Sequence, residues 1–304
     1  DQGVGLCSFG NAAVQQRVHR PAVDPEAAAR YVADDFWRMP RLADTTPEAL
    51  RDDCLAQGVG TVLPTRDGEL MFWAEAKPLF AEAGIDVIVS APQSVERCLD
   101  KLAFARFGME GGLPFIPASL SLEALQGDAF VVKERFGAGS RSIGLNLNRE
   151  AAQAHARGLD SPLFQPFAAG VEISIDAWMD RHCRPVGIVL RRRDHVVDGE
   201  SQVTTTFRDA PLEEAALKVF GALRLNGPSV MQAIVSPEGG LRIVECNCRF
   251  GGASTTSIAA GLDLLAWSLA ERHAPATQPL FHRIAGEVRQ VRLPEDIIIH
   301  DPDL

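Results

Sequence analysis

Residues 244–250 read "VECNCRF", and two chemistries compete for them. Cys246 and Cys248 are soft thiolate ligands of the kind zinc and copper favour. Glu245, Asn247 and Arg249 instead make a hard, oxygen-based set for magnesium, with a guanidinium for phosphate. In a β-strand successive side chains alternate, so Glu245, Asn247 and Arg249 share one face and the cysteines take the other. The remaining cysteines, Cys7, Cys54, Cys98 and Cys183, are scattered, and no CxxC pair occurs. That spacing gives a thiolate metal site or a disulfide scaffold little support, and free buried thiols are the expectation.

Working outward, "SVMQAIVSPEGGLRIVECNCRF" reads as a β-hairpin turning at Pro237–Gly240. Gln232 then sits on its first strand, with Glu245 and Asn247 on the second. One carboxylate with amide oxygens suits a magnesium ion bound jointly with phosphate oxygens. Arg249 on the same face is placed to brace a transferring phosphoryl group. Further upstream, "AFVVKERFGAGSRSIGLNL" reads as two strands joined by a glycine-rich loop. Lys133 ends the first strand beside that loop, an arrangement suited to clamping phosphate; a solvated hairpin lysine is the alternative. In "FQPFAAGVEISIDAW", Glu172 opens an alternating strand and could accept hydrogen bonds from ribose hydroxyls. "FQPF" offers a backbone edge and apolar walls for a purine, although a polar residue on an exposed strand face explains Glu172 equally well.

The N-terminal part alternates helices and strands. "DPEAAARYVADDFWRMP" suggests a helix starting at Asp24–Pro25, "TPEALRDDCLAQG" a capped helix closed by Gly58, and "VGTVLP" and "IDVIVS" buried strands flanking "LMFWAEAKPLFAEAG". This order implies a parallel α/β sheet ending near residue 93. "GVGLCSFG" at the start is a weak match to a phosphate loop and reads better as a remnant strand and loop. "SVERCLDKLAFARFG" and "SIAAGLDLLAWSLAERH" each read as one amphipathic helix, and the second half as α+β with mainly antiparallel strands.

Composition sets outer limits. The 304 residues, 46% hydrophobic and 23% charged, have the make-up of a soluble globular chain. A formal charge of −10 argues against a general nucleic-acid binder. No apolar run approaches the roughly 18 residues of a membrane span. No signal-peptide pattern opens the chain, so a cytoplasmic location without membrane attachment is expected.

Taken in order, these motifs resemble the ATP-grasp superfamily, particularly its branch like the carbamoyl-phosphate-synthase large subunit. The resemblance runs over about residues 20–270. It rests on "PTRDGEL" at 64–70, "DK" at Asp100–Lys101, Lys133 with its loop, "FQPF", Glu172, and "ECNCR" matching E-x-N-x-R. It implies an ATP-grasp fold, α/β and α+β, behind a Rossmann-like pre-ATP-grasp domain. The expected boundaries are 1–93 and 94–304, with a nucleotide-binding subdomain near 105–165 and a C-terminal subdomain over 166–304. Lys101, Lys133, Gly137, Gly139 and Ser140 would contact ATP phosphates, Gln165, Pro166 and Phe167 would form the adenine hinge, and Glu172 would hold the ribose. Glu245, Asn247 and Gln232 would hold magnesium or manganese. Arg249 would steady an acyl phosphate, and Arg191 and Arg193, rather than Arg192, would face phosphate or substrate carboxylate.

The activity so implied is ADP-forming ligation of a small-molecule carboxylate to an amine. A non-catalytic ATP-binding sensor or partner subunit and a carbamate- or bicarbonate-phosphorylating enzyme are the rivals. A homodimer is the default expectation. The chain departs from the branch in lacking a recognisable first strand and glycine loop before residue 20, and a second ATP-grasp half.

Overall fold

The computed structural model describes residues 5–8, 17–22, 28–137, 142–273 and 280–298. Strands β1 (Gly5–Ser8), β2 (Arg17–Ala22) and β3 (Asp35–Arg38) lead through helix α1 (Pro47–Ala56), β4 (Thr61–Leu63) and helix α2 (Asp67–Glu82) to β5 (Asp86–Val87). They form a five-stranded sheet in the order β3-β2-β1-β4-β5. The expected parallel sheet is mixed instead: β2–β3 and β4–β5 pair parallel, whereas β1 is antiparallel to both neighbours. The linker 9–16 is shorter than the dozen or so residues that a parallel crossover needs. The helix expected from Asp24 is also corrected. Ala28–Tyr31 makes a 3-10 turn, and the aromatic pair Phe36–Trp37 lies in β3.

Helices α3 (Pro92–Leu99) and α4 (Lys101–Glu110) replace the single helix expected here. The break is Asp100, whose backbone is extended and whose carboxylate accepts hydrogen bonds from the amides of Leu102 and Ala103, capping α4. A small three-stranded sheet follows, built from β6 (Phe130–Glu134), β7 (Gly144–Leu147) and β8 (Pro162–Pro166) with helix α5 (Arg149–Ala156) between the last two. Phe130 and Val132 turn into its own core with Leu122, Ala152 and Phe164, so Val131 and Lys133 face the other way.

The larger sheet comprises β9 (Val171–Met179), β10 (Pro185–Val197), β11 (Glu200–Phe207), β12 (Gly227–Val235), β13 (Leu241–Asn247) and β14 (Arg289–Val291), in the order β13-β12-β9-β10-β11-β14. All its strand pairs are antiparallel. Helix α6 (Ala210–Leu223) packs Ala216, Val219 and Phe220 onto one face, against Ile173, Ile175, Leu190, Met231 and Ala233. The same core continues without interruption into Trp73, Phe80 and Val95 of the N-terminal part. The opposite face carries the polar residues of β9, β10 and β12.

The chain then forms α7 (Ser254–Ala259) and α8 (Leu264–His273) rather than one long helix. They separate at Gly261, which has φ +101° and lies so close to the His282 carbonyl that a Cβ would meet it at 2.2 Å. No helix among the described residues is long and apolar enough to cross a membrane.

Candidate functional site

The hairpin β12–β13 contains a bulge that alternation alone does not show. Gln232 pairs with Glu245 but its neighbour Ala233 pairs with Ile243, so Val244 and Glu245 together oppose Gln232. Side-chain parity therefore flips within the strand. Leu241 and Ile243 point into the core, Val244 and Glu245 both point out, and Cys246 and Cys248 return to the core. Glu245 and Asn247 line a cavity, as expected, and the cysteines pack behind. Cys98 joins them: hydrogen bonding with Cys246 above all, together with burial, holds its thiol well above the ordinary range. Among the described residues no group of three or more His, Cys, Asp or Glu side chains could hold a metal ion.

Two cavities meet over the polar sheet face. The apolar one, about 600 Å³, is walled by Ile116, Val131, Ile143, Leu145, Ile234 and Val244 with Pro166 and Phe167, and Lys133, Gln165 and Glu172 are among its polar residues. The charged one, about 510 Å³, holds Arg191, Arg193, Arg249 and Asn247 together with Asp67 and the tip of the β10–β11 hairpin. Lys101, Phe136, Gly137, Gln232 and Glu245 line both, and so form the junction.

Each polar group has a defined support. Asp100 takes two hydrogen bonds from the Arg135 guanidinium, which ties the start of α4 to the end of β6. Lys101 thereby reaches Gly137, its ammonium donating to the carbonyl at 2.7 Å. Lys133 is 4% exposed, which removes the solvated-hairpin alternative. Burial drives its pKa down to about 8, partly opposed by the Glu245 carboxylate. Gln165 is buried and donates from its amide to the Ile116 carbonyl. Glu172 is half exposed, and its carboxylate lies 3.2 Å from the Arg193 Nε. Gly139 and Ser140 lie outside the described residues.

The three arginines named from sequence differ in their freedom. Arg191 and Arg193 share the cavity face, while Arg192 turns away to Glu287 at 2.7 Å. Arg191 is buried and ion-paired with Asp176, a fully buried carboxylate that also accepts from Ser254 and Ser257. Its charge is thus balanced inside the protein, while its side chain still lines the charged cavity. Arg249 is gripped by Asp67 through two hydrogen bonds and donates to the Phe250 carbonyl at 2.8 Å. Asp67 lies within "PTRDGEL", yet its partner is far off in sequence, as is Arg292, paired with Glu200. Both line the charged cavity, and neither was singled out as a site residue from sequence.

The residues present fit a hard divalent cation only in part. One carboxylate, Glu245, with the amides of Asn247 and the in-register Gln232, is too few protein oxygens for a closed site and suits an ion sharing phosphate oxygens.

Comparisons with known proteins agree with this architecture. Residues 159–291 match the family described as ATP-grasp in the biosynthetic pathway with Ter operon, and residues 6–88 match the PylC-like N-terminal domain. The biotin carboxylase domain of Hydrogenobacter thermophilus 2-oxoglutarate carboxylase, in complex with MgADP, ADP and bicarbonate, superposes with a TM-score of 0.72 at 18% identity, covering 89% of this chain and 68% of that one. Campylobacter jejuni biotin carboxylase gives 0.70 at 14% identity, covering 89% and 68%. The L-amino acid ligase of Bacillus licheniformis gives 0.59 at 17% identity; the match covers 79% of this chain and 63% of the ligase, just under two thirds of its length. No curated protein matches the chain. At these identities the structural likeness is one of fold. Together these matches show an ATP-grasp fold, with an ATP-grasp family match over residues 159–291 and a PylC-like N-terminal domain match over residues 6–88.

Proposed function

We propose that the protein is an ATP- and Mg²⁺-dependent ligase that activates a small-molecule carboxylate as an acyl phosphate for attack by an amine. The observation that carries this reading is the junction. An apolar cavity with a backbone edge at Gln165–Phe167 opens onto a charged cavity where Lys101, Gln232 and Glu245 stand. A purine suits the first, a carboxylate the second, and the γ-phosphate the boundary. The relatives bound to MgADP and acting on amino acids support the assignment.

Lys101 and Lys133 would neutralise the phosphates, the latter without competition from water because it is buried. Glu172 would bind the ribose, which requires it to loosen from Arg193. Glu245, Asn247 and Gln232 would hold magnesium, whose contribution is to neutralise charge on the transferred phosphoryl group. A substrate carboxylate oxygen attacks the γ-phosphorus and ADP leaves. The amine nitrogen then attacks the acyl carbon, loses a proton, and inorganic phosphate departs. Arg193 would orient the carboxylate, and Arg249, held by Asp67, would steady the acyl phosphate. The charged cavity has far more room than bicarbonate needs, which favours a larger carboxylate over the bicarbonate-phosphorylating reading.

The test is ADP release from Mg-ATP across a panel of carboxylates, with and without amines, and with bicarbonate alone. Carboxylate-dependent ADP formation with an amide product is expected. Tight Mg-ATP binding without turnover on any member would replace the ligase with a nucleotide-binding sensor. Bicarbonate-stimulated hydrolysis alone would favour a bicarbonate-phosphorylating enzyme.

A further inference from the structure

The thiols behind β13 are nucleophilic groups that the proposed chemistry leaves idle, and they lie together. Cys98, next to last in α3, is in hydrogen-bonding contact with both Cys246 and Cys248, and α3 packs on β13. All three side chains are buried. Contact with Cys98 and burial hold the Cys248 thiol well above its ordinary range, as the Cys246 contact and burial do for Cys98. Both sulfurs therefore rest protonated.

Two features single out Cys98 with Cys248. Cys98 lines the charged cavity, so a small solute can reach its sulfur from the substrate side, whereas Cys246 and Cys248 line neither cavity. Cys246 is fixed in the ladder opposite Met231, while Cys248 stands just past the last residue of β13 and Cys98 two residues before the break at Asp100. The sulfurs freest to approach each other are thus those of Cys98 and Cys248. From hydrogen-bonding contact they must close by about 1–2 Å to reach the roughly 2.05 Å of a disulfide. Cys248 lies between Asn247 and Arg249, and Arg249 is gripped from the other side by Asp67. A shift of that size exceeds the roughly 0.5 Å within which a working constellation must be held.

We propose that Cys98 and Cys248 form an oxidation site: a hydroperoxide entering the charged cavity converts them to a disulfide that displaces Asn247 and Arg249 and shuts off Mg-ATP binding. With hydrogen peroxide, the Cys98 sulfur attacks one oxygen, the O–O bond breaks and water leaves, which makes Cys98 a sulfenic acid. The Cys248 sulfur then attacks the Cys98 sulfur, the S–O bond breaks, and a second water departs with the Cys248 proton. The two thiols lose two electrons and the peroxide gains them. The inference rests on the ligase reading only for its readout, nucleotide binding.

The experiment exposes the reduced full chain to hydrogen peroxide in mildly alkaline buffer, because the thiolate is the attacking form. N-ethylmaleimide then blocks the remaining thiols, and peptide mass maps the disulfides. A Cys98–Cys248 link is expected, with affinity for a non-hydrolysable ATP analogue and Mg²⁺ at least ten-fold weaker in the linked chain and restored by dithiothreitol. Cys98→Ala should form no link and keep its affinity after peroxide, whereas Cys246→Ala should still form it. Mapping on the unsubstituted chain decides the case even where a variant folds poorly. A link through Cys246, oxidation confined to Cys183 on the β9–β10 turn, or a linked chain that binds the analogue as before would overturn the proposal. A reduced chain that binds no analogue would instead overturn the ligase reading, and the switch with it.

Discussion

Asp67, the first residue of α2, holds Arg249, two residues beyond the end of β13, through paired hydrogen bonds spanning 182 residues of sequence. The N-terminal part thus contributes a side chain to the same cavity as the E-x-N-x-R segment, and fixes the plane of its arginine. The pair is largely buried, with 16% and 12% of the two side chains exposed. Removing one partner strands the other charge. Asp67→Asn and Arg249→Met should each lower stability by about 2 kcal/mol in denaturant unfolding, and the double variant by markedly less than their sum. Additive losses would show that the two residues act independently.

Lys133 gives a pH dependence whose sign is fixed by its environment. Burial lowers its pKa from 10.5 to about 8 in the folded chain. Nucleotide phosphates favour the ammonium, so binding raises that pKa again. Below about pH 8 the lysine is protonated free and bound, and affinity for Mg-ATP should not change through this group. Above it, binding must take up a proton, and affinity should fall as pH rises. Calorimetry in buffers of different ionisation enthalpy should detect that uptake near pH 9 and not near pH 6.5. Stability runs the other way: the unfolded chain binds more protons between about pH 8 and 10.5, so this lysine makes folding more favourable as pH rises through that interval.

The working face of residues 245–249 was legible because strand parity is a local property. Alternation separates Glu245, Asn247 and Arg249 from Cys246 and Cys248 whatever the rest of the chain does. The bulge opposite Gln232 was not legible, since two residues facing one is a fact about the partner strand. Arg191 and Arg193 show the same boundary. Sequence puts both on the cavity face, but only the fold shows that Asp176, two strand positions beyond Ser174 on β9, neutralises one of them. Asp67 stood in a motif quoted for the resemblance, yet nothing within "PTRDGEL" announces a partner so distant. Helix breaks at Asp100 and Gly261 were missed because the apolar spacing continues through both, while a cap and a close backbone approach end the helices.

Glu245 and its neighbour Cys246 separate chemistry from packing within one peptide unit. Glu245→Gln is nearly isosteric and removes the only carboxylate among the three proposed magnesium ligands. Magnesium-dependent turnover should be lost with the unfolding midpoint little changed, because the side chain faces the cavity. Cys246→Ser puts a hydroxyl into the apolar core beside Cys98 and should cost about 1–3 kcal/mol of stability while sparing turnover at low temperature. Full activity in Glu245→Gln would refute the metal assignment.

Asp176 supplies the sharpest test of a supporting role, because it touches neither cavity yet closes the polar face from beneath. Its carboxylate accepts from Arg191, Ser254 and Ser257, joining β9, β10 and the start of α7 in one network with no exposed member. Asp176→Asn keeps the shape, but half of its terminus becomes a donor facing other donors, and Arg191 is left as a buried cation without a counter-charge. The expected loss is about 3–5 kcal/mol, the range for breaking a buried pair by removing one partner. Replacing both residues, Asp176→Leu with Arg191→Met, removes the stranded charge and should recover a substantial part of that loss. Recovery of stability with the affinity for Mg-ATP retained would mark Arg191 as a positioning residue. If the rescued double variant also lost nucleotide binding, Arg191 would have to be returned to direct contact with phosphate.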